Sequence, residues 1–153
     1  VLNNLDQKLS TMNNLSSSNY SVHEILTMAS IIEQEAVTTD DRAKVSQVIY
    51  RRLDTNMSLG MDVTAYYGVQ KSLKAPLTQS DLNSSNPYNT RLTSFIGLPV
   101  GPICNPSIVS INASLNPADT NYEYFYADIT TGKVYFAEDA KGFYEIQEEL
   151  GDK

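Results

Sequence analysis

Two glutamates, Glu33 and Glu35, stand two positions apart at the end of an apolar run, Met28-Ala29-Ser30-Ile31-Ile32. A carboxyl drawn into apolar surroundings on folding resists ionisation, so its pKa rises. A carboxylic acid still protonated near neutrality can protonate a leaving oxygen, which is what cleavage of a glycosidic bond requires. In a helix, at about 100° per residue, Glu35 falls between Met28 and Ile31, inside the apolar sector. Glu33 lies at the opposite edge, beside Leu26 and Ala29, and is the weaker rival; Gln34 faces away. The ordinary alternative is a helix-edge Glu35 that reaches solvent or pairs with Arg42 or Lys44.

Other chemistry is restricted by what the chain contains. His23 is the only histidine and Cys104 the only cysteine. A multi-histidine metal site, a thiolate cluster and an internal disulfide are excluded, and a Ser-His-Asp triad is disfavoured. No metal and no cofactor is expected. His23 reads as a solvent-facing residue in a first helical turn, and Asp40-Asp41 as part of a helix cap. Three further clusters mix polar and aromatic groups: Asp62-Val63-Thr64 with Tyr66-Tyr67, then Tyr88-Asn89-Thr90 after Pro87, then the Gly97–Pro106 stretch. Uncharged donors beside an aromatic face suit carbohydrate. A segment stiffened by prolines and freed of bulk at glycines suits a wall that exposes backbone to a ligand. Each also has a plain structural reading: a strand start with a side-chain turn, a turn with a packed Tyr, and a tight loop.

The elements that must position these groups follow from periodicity. Leu2, Leu5, Leu9 and Met12 predict a short helix, and the Asn/Ser run from Asn13 to Asn19 predicts a loop or linker, so residues 1–20 are set apart from 21–153. Ser21 with Glu24 forms a capping box that opens a helix running to about Val37, with Ile25, Met28, Ala29, Ile32 and Ala36 as its apolar stripe. Thr38–Asp41 turns the chain into a second helix whose buried face is Val45, Val48, Ile49 and Leu53, with Arg51-Arg52 near the end where the helix dipole favours cations. From Asn56 to Pro106 glycine and proline interrupt every period, and a loop-rich stretch of that length is usually functional. Tyr122–Asp128 and Lys133–Ala137, joined by Thr130-Thr131-Gly132, predict a β-hairpin. Residues 139–150 predict a last helix ending at Gly151. The predicted class is α+β: a helix pair carrying Glu35, a loop-rich centre, a late hairpin and a C-terminal helix.

Composition sets the outer bounds. The chain has 153 residues, 41% of them hydrophobic and 19% charged, with a net charge of −7. That is a globular composition. The negative charge argues against nucleic acid or an anionic membrane as partner, and no apolar run is long enough for a membrane helix.

The ordered motifs resemble a known family. Glu33-Gln34-Glu35 after Met28–Ile32, a helix ending in Arg51-Arg52-Leu53, Asp62-Val63-Thr64 with Tyr67-Gly68, Pro87-Tyr88-Asn89-Thr90, and Gly97-Leu98-Pro99 with Gly101-Pro102-Ile103 and Asn105-Pro106 are similar to the core of the YceG-like endolytic murein transglycosylases, the MltG family. Tyr124-Phe125 and Lys133–Phe136 extend the match, which covers roughly residues 24–147. The chain departs from the family pattern at Gly60, where Gln is frequent, and at Val63 and Val100, where Pro is; Val134 and Phe143 replace two histidines.

The resemblance implies that Glu35, the second Glu of the pair, is the catalytic acid/base. It implies cleavage between N-acetylmuramic acid and N-acetylglucosamine by internal transfer, leaving 1,6-anhydro ends without water or metal. Glu33, Asp62, Thr64, Tyr88, Asn89, Thr90, Pro99, Gly101 and Asn105 are then the candidate substrate-binding residues. Expected partners are peptidoglycan glycan strands, with cell-wall synthases as further candidates. The expected location is the outer face of a bacterial cell membrane, through a transmembrane anchor and a LysM-like subdomain that these residues do not include. Two competing readings are a catalytically silent glycan-binding or scaffolding module, and a muramidase that uses Asp62 as a second carboxylate.

Overall fold

The computed structural model describes residues 11–151 apart from 12 and 129. The predicted helix of residues 2–12 therefore lies almost wholly outside the described residues. Residues 13–17, expected as a loop, are helical. Nor is this segment a detached linker, because Leu15 and Tyr20 pack on the core and Thr11 Oγ1 donates to Asn112 Oδ1.

Helix α1 spans Val22–Glu35 and starts as its sequence requires: the Ser21 hydroxyl accepts from the Glu24 amide, and the Glu24 carboxylate accepts from the Ser21 amide. Ile25, Thr27, Met28, Ala29, Ser30, Ile31 and Ile32 are all buried, so α1 is enclosed on most sides. Helix α2, Thr39–Asp54, is capped by Thr38 and buries Val45, Val48 and Ile49 against it. Arg52 lies in the last turn of α2, as expected. It is buried as well as sited at the helix end, donating from Nε to Glu123 O at 2.9 Å and from Nη1 to Leu59 O at 2.7 Å, with its guanidinium over the Tyr124 ring. Its apolar stem and planar head suit it to cross-link three segments.

The central stretch holds more helix than its punctuation predicts. Asp62–Gly68 forms a short helix, α3, where a strand start was one reading, and Gln79–Leu82 forms a single turn, α4, closed by a Thr78–Asp81 capping box. A further helix, α5, runs over Ile108–Leu115 from an N-cap at Ser107 and packs on both α1 and α2. Its lack of charge, with serines at two positions, hides its periodicity. Strands β1 (Tyr124–Ala127) and β2 (Val134–Ala137) pair antiparallel with Tyr124 opposite Ala137, turning at Gly132 with φ 75°. Helix α6, Ala140–Glu149, packs on this hairpin, and Gly151 follows at φ 74°. Helices with one two-stranded sheet among the described residues make the fold α+β, as the order of elements predicts. None of the described helices is long and apolar enough to cross a membrane.

Candidate active site

Glu35 is the last residue of α1, set where the buried helix meets the N-terminal turn of α3. It keeps part of its surface open, yet its carboxyl itself is desolvated by the surrounding protein. Burial, and next the negative charge of Asp62, push its pKa up to about 7. The two cations that could have neutralised it are engaged elsewhere: Lys44 pairs with Asp40 at 2.9 Å, and Arg42 pairs with Glu33 at 3.0 Å. Among the described residues Glu35 has no ion-pair partner. The ordinary reading of Glu35 as a paired or freely solvated edge residue does not hold.

Glu33 has the opposite environment. Its Oε1 accepts from the Ser107 amide at 2.7 Å and from the Ser110 hydroxyl at 3.0 Å, while Oε2 faces Arg42. Those hydrogen bonds, led by the ones from Ser107, hold its pKa below the ordinary carboxyl value. Both oxygens are thereby spent on the start of α5 and on α2. Glu33, expected as a substrate contact, is thus bonded to protein partners at both oxygens.

Thr64, Asn89 and Thr90, also expected to meet substrate, each have 0% of their surface exposed. The Thr64 and Thr90 hydroxyls lie 2.7 Å apart; Thr64 Oγ1 also reaches Met61 O at 2.7 Å, and Thr90 Oγ1 accepts from the Met61 amide at 3.0 Å. Asn89 donates to Leu82 O and Ser84 O. These bonds fix the backbone on either side of α3, and so place Asp62. Pro99 and Gly101 are buried too, leaving Asp62, Tyr88 and Asn105 as the expected contacts with surface to offer. Asp62 also faces Arg91 at 3.4 Å.

A strap over residues 100–107 runs along α1 toward Glu35. His23 Nε2 donates to Val100 O at 2.8 Å, Ser30 Oγ accepts from the Ile103 amide at 3.0 Å, and Glu33 takes the Ser107 amide. His23 is therefore exposed but not idle. His23, Ser30, Ser107 and Arg91 all shape the site without a sequence signal beyond their being polar, because each acts through a partner far along the chain. Two adjoining hollows flank α3. One of about 500 Å3 is lined by Tyr66, Tyr67, Gly68, Gln70, Lys71 and Tyr88. The second, about 190 Å3, shares Tyr66, Tyr67 and Lys71 and reaches Gln34, Val63 and Ile103. Glu35 lines neither; its chain neighbour Gln34 marks where the groove approaches it.

Fold and site together define a helical α+β unit carrying one desolvated carboxyl beside an open groove. The chain belongs to the YceG-like family, whose sequence profile matches residues 1–149. It is 36% identical over 138 residues to an endolytic murein transglycosylase of Streptococcus pneumoniae serotype 2 (strain D39 / NCTC 7466), covering 87% of this chain and 25% of that protein. It is 42% identical over 121 residues to an endolytic murein transglycosylase of Bacillus subtilis (strain 168), covering 79% of this chain and 32% of the relative. A crystal structure of a protein described as yceG-like, from Listeria monocytogenes, superposes with a TM-score of 0.82 at 38% identity, over 90% of this chain and 44% of that one. The chain thus spans a quarter to a third of the curated relatives it matches.

Proposed function

We propose that this chain carries the catalytic site of an endolytic murein transglycosylase, with Glu35 as its single acid/base. The observation that carries the reading is the Glu35 carboxyl, unpaired among the described residues and with its pKa near 7. A group that must first give and then take a proton works best when its pKa lies near the working pH. Protonated Glu35 delivers its proton to the oxygen linking N-acetylmuramic acid to N-acetylglucosamine, and the bond from that oxygen to C1 breaks. The carboxylate left behind takes the proton of the muramic 6-hydroxyl as its oxygen bonds to C1. A 1,6-anhydro end forms and Glu35 finishes as it began. Asp62 favours that return, because its charge opposes a lasting second charge on Glu35.

Tyr88 and Asn105 supply surface for the strand, and Glu33, Thr64, Asn89 and Thr90 hold the walls. The substrate is the glycan strand of peptidoglycan, met on the outer face of the membrane by a parent protein anchored there.

Asp62, close enough to act on Glu35 electrostatically, supports a second reading as the base that admits water, giving a hydrolase. Product analysis separates these. Peptidoglycan incubated with the protein and with Glu35→Gln should yield anhydro-muramic ends from the wild type only. Reducing ends in their place would establish the hydrolase, and bound strands without products from the wild type would establish a silent glycan-binding module.

A further inference from the structure

Helix α3 ends in a Schellman motif: the Lys71 amide donates to Tyr66 O at 3.0 Å and the Gln70 amide to Tyr67 O at 3.1 Å. The motif requires a left-handed residue, which is Gln70, at φ 55°. Glycine is the unstrained choice there and asparagine the usual substitute; the corresponding residue after α2 is indeed Asn56, also at φ 55°. Glutamine has neither advantage, and strain retained at one position is a pointer to use. Here it stands on the wall of the 500 Å3 hollow, exposed, with no hydrogen bond to its side-chain amide among the described residues.

The rest of that wall is aromatic. Tyr67 and Tyr88 meet edge to face with centroids 4.7 Å apart, Tyr67 remaining 44% exposed, while the Tyr66 phenol is fixed by donating to Ala75 O at 2.7 Å. Among the described residues Lys71 is the one charged residue lining it, and that charge is paired with Asp81. The hollow therefore presents ring faces and an uncharged amide but no free charge. Its volume lies within the roughly 300–1,000 Å3 of small-ligand sites. Through Tyr66, Tyr67 and Lys71 it continues into the second hollow, which ends beside Gln34.

We propose that this hollow is a subsite for an uncharged N-acetylhexosamine residue of the strand, remote from the bond that is cut. The Tyr67 and Tyr88 rings take the apolar face of the sugar, and Gln70 hydrogen-bonds its acetamido or hydroxyl groups. The subsite rests on the proposed reading of Glu35 for its strand but not for its chemistry, so binding can be tested without turnover.

The probe is chitotetraose, which lacks lactyl and peptide groups, titrated into Glu35→Gln protein and followed by amide and side-chain chemical shifts. Shifts should concentrate at Tyr66–Lys71 and Tyr88. Adding Gln70→Gly should weaken binding at least fivefold without lowering the melting temperature, because glycine relieves the left-handed strain. Adding Tyr67→Ala should weaken it tenfold or more, read at matched fold content by circular dichroism. Shifts centred elsewhere, unaltered affinity in Gln70→Gly, or no binding at millimolar sugar would each overturn the subsite. Anhydro products from the wild type in the last case would leave the role of Glu35 standing, whereas sugar bound at the subsite without any cleavage would do the reverse.

Discussion

Glu33 and Glu35 show how far a fold can separate two identical side chains. One accepts two hydrogen bonds and faces a guanidinium, the other is crowded and faces a carboxylate, so their pKa values move in opposite directions. If Glu35 must be protonated to start the reaction, kcat/KM should fall about tenfold per pH unit above roughly pH 7. Asp62→Asn removes the like charge and should move that limb to lower pH, which a pH–rate profile would detect. Glu35→Gln should reduce turnover by at least about 100-fold. The same substitution should also stabilise the protein in alkali. Because the carboxyl pKa is raised on folding, the folded chain keeps a proton that the unfolded chain releases, and stability declines between about pH 4.5 and 7. The full shift corresponds to on the order of 3 kcal/mol; with part of the residue still in contact with water, a gain of about 1–2 kcal/mol is expected at pH 8 and none at pH 4. Urea denaturation at the two pH values measures it.

At the scale of elements, Glu33 matters because it joins three of them: the end of α1, the start of α2 through Arg42, and the cap of α5. Glu33→Ala leaves the Ser107 amide and Arg42 without their carboxylate and should destabilise by about 2 kcal/mol. Its lowered pKa means the contribution is present above the ordinary carboxyl range and lost as pH falls below it, so wild type and variant should converge in acid denaturation. What the sequence reveals follows the same division. The Ser21–Glu24 box, the hairpin turn and Gly151 are legible because their partners lie within a few residues. The apolar phase of Glu35 is legible because helix geometry alone sets it. The Glu33–Ser107, Ser30–Ile103 and His23–Val100 bonds join residues 73–77 positions apart, and no local pattern announces them. Thr64 and Thr90 have the residue types of a sugar site, yet their mutual hydrogen bond turns both inward. Helix α5 is obscured by its small uncharged residues, and α3 by the prolines and glycines around it.

Over the whole molecule, stability is unevenly spread. Half of α1 is buried, whereas α6 has no buried residue and leaves Tyr144 66% exposed. Native-state hydrogen exchange should accordingly protect the α1 amides by the largest factors, with α6 opening well before global unfolding. Comparable protection in the two helices would contradict this distribution. The site should share that protection, since Glu35 ends the best-buried helix and its walls are tied by buried hydroxyls. The strap beside that helix adds a constraint of another kind. From His23 to Glu33 the helix rises about 15 Å, and seven chain steps from Val100 to Ser107 cover it, with Ser30 clasped between. The strap thus works as a length gauge: one inserted residue would pull at least one clasp out of phase and carry the start of α5 with it. Insertions grafted into the exposed turn at Thr130–Gly132 meet no such gauge, which makes that turn, and not the strap, the place where the molecule can be lengthened.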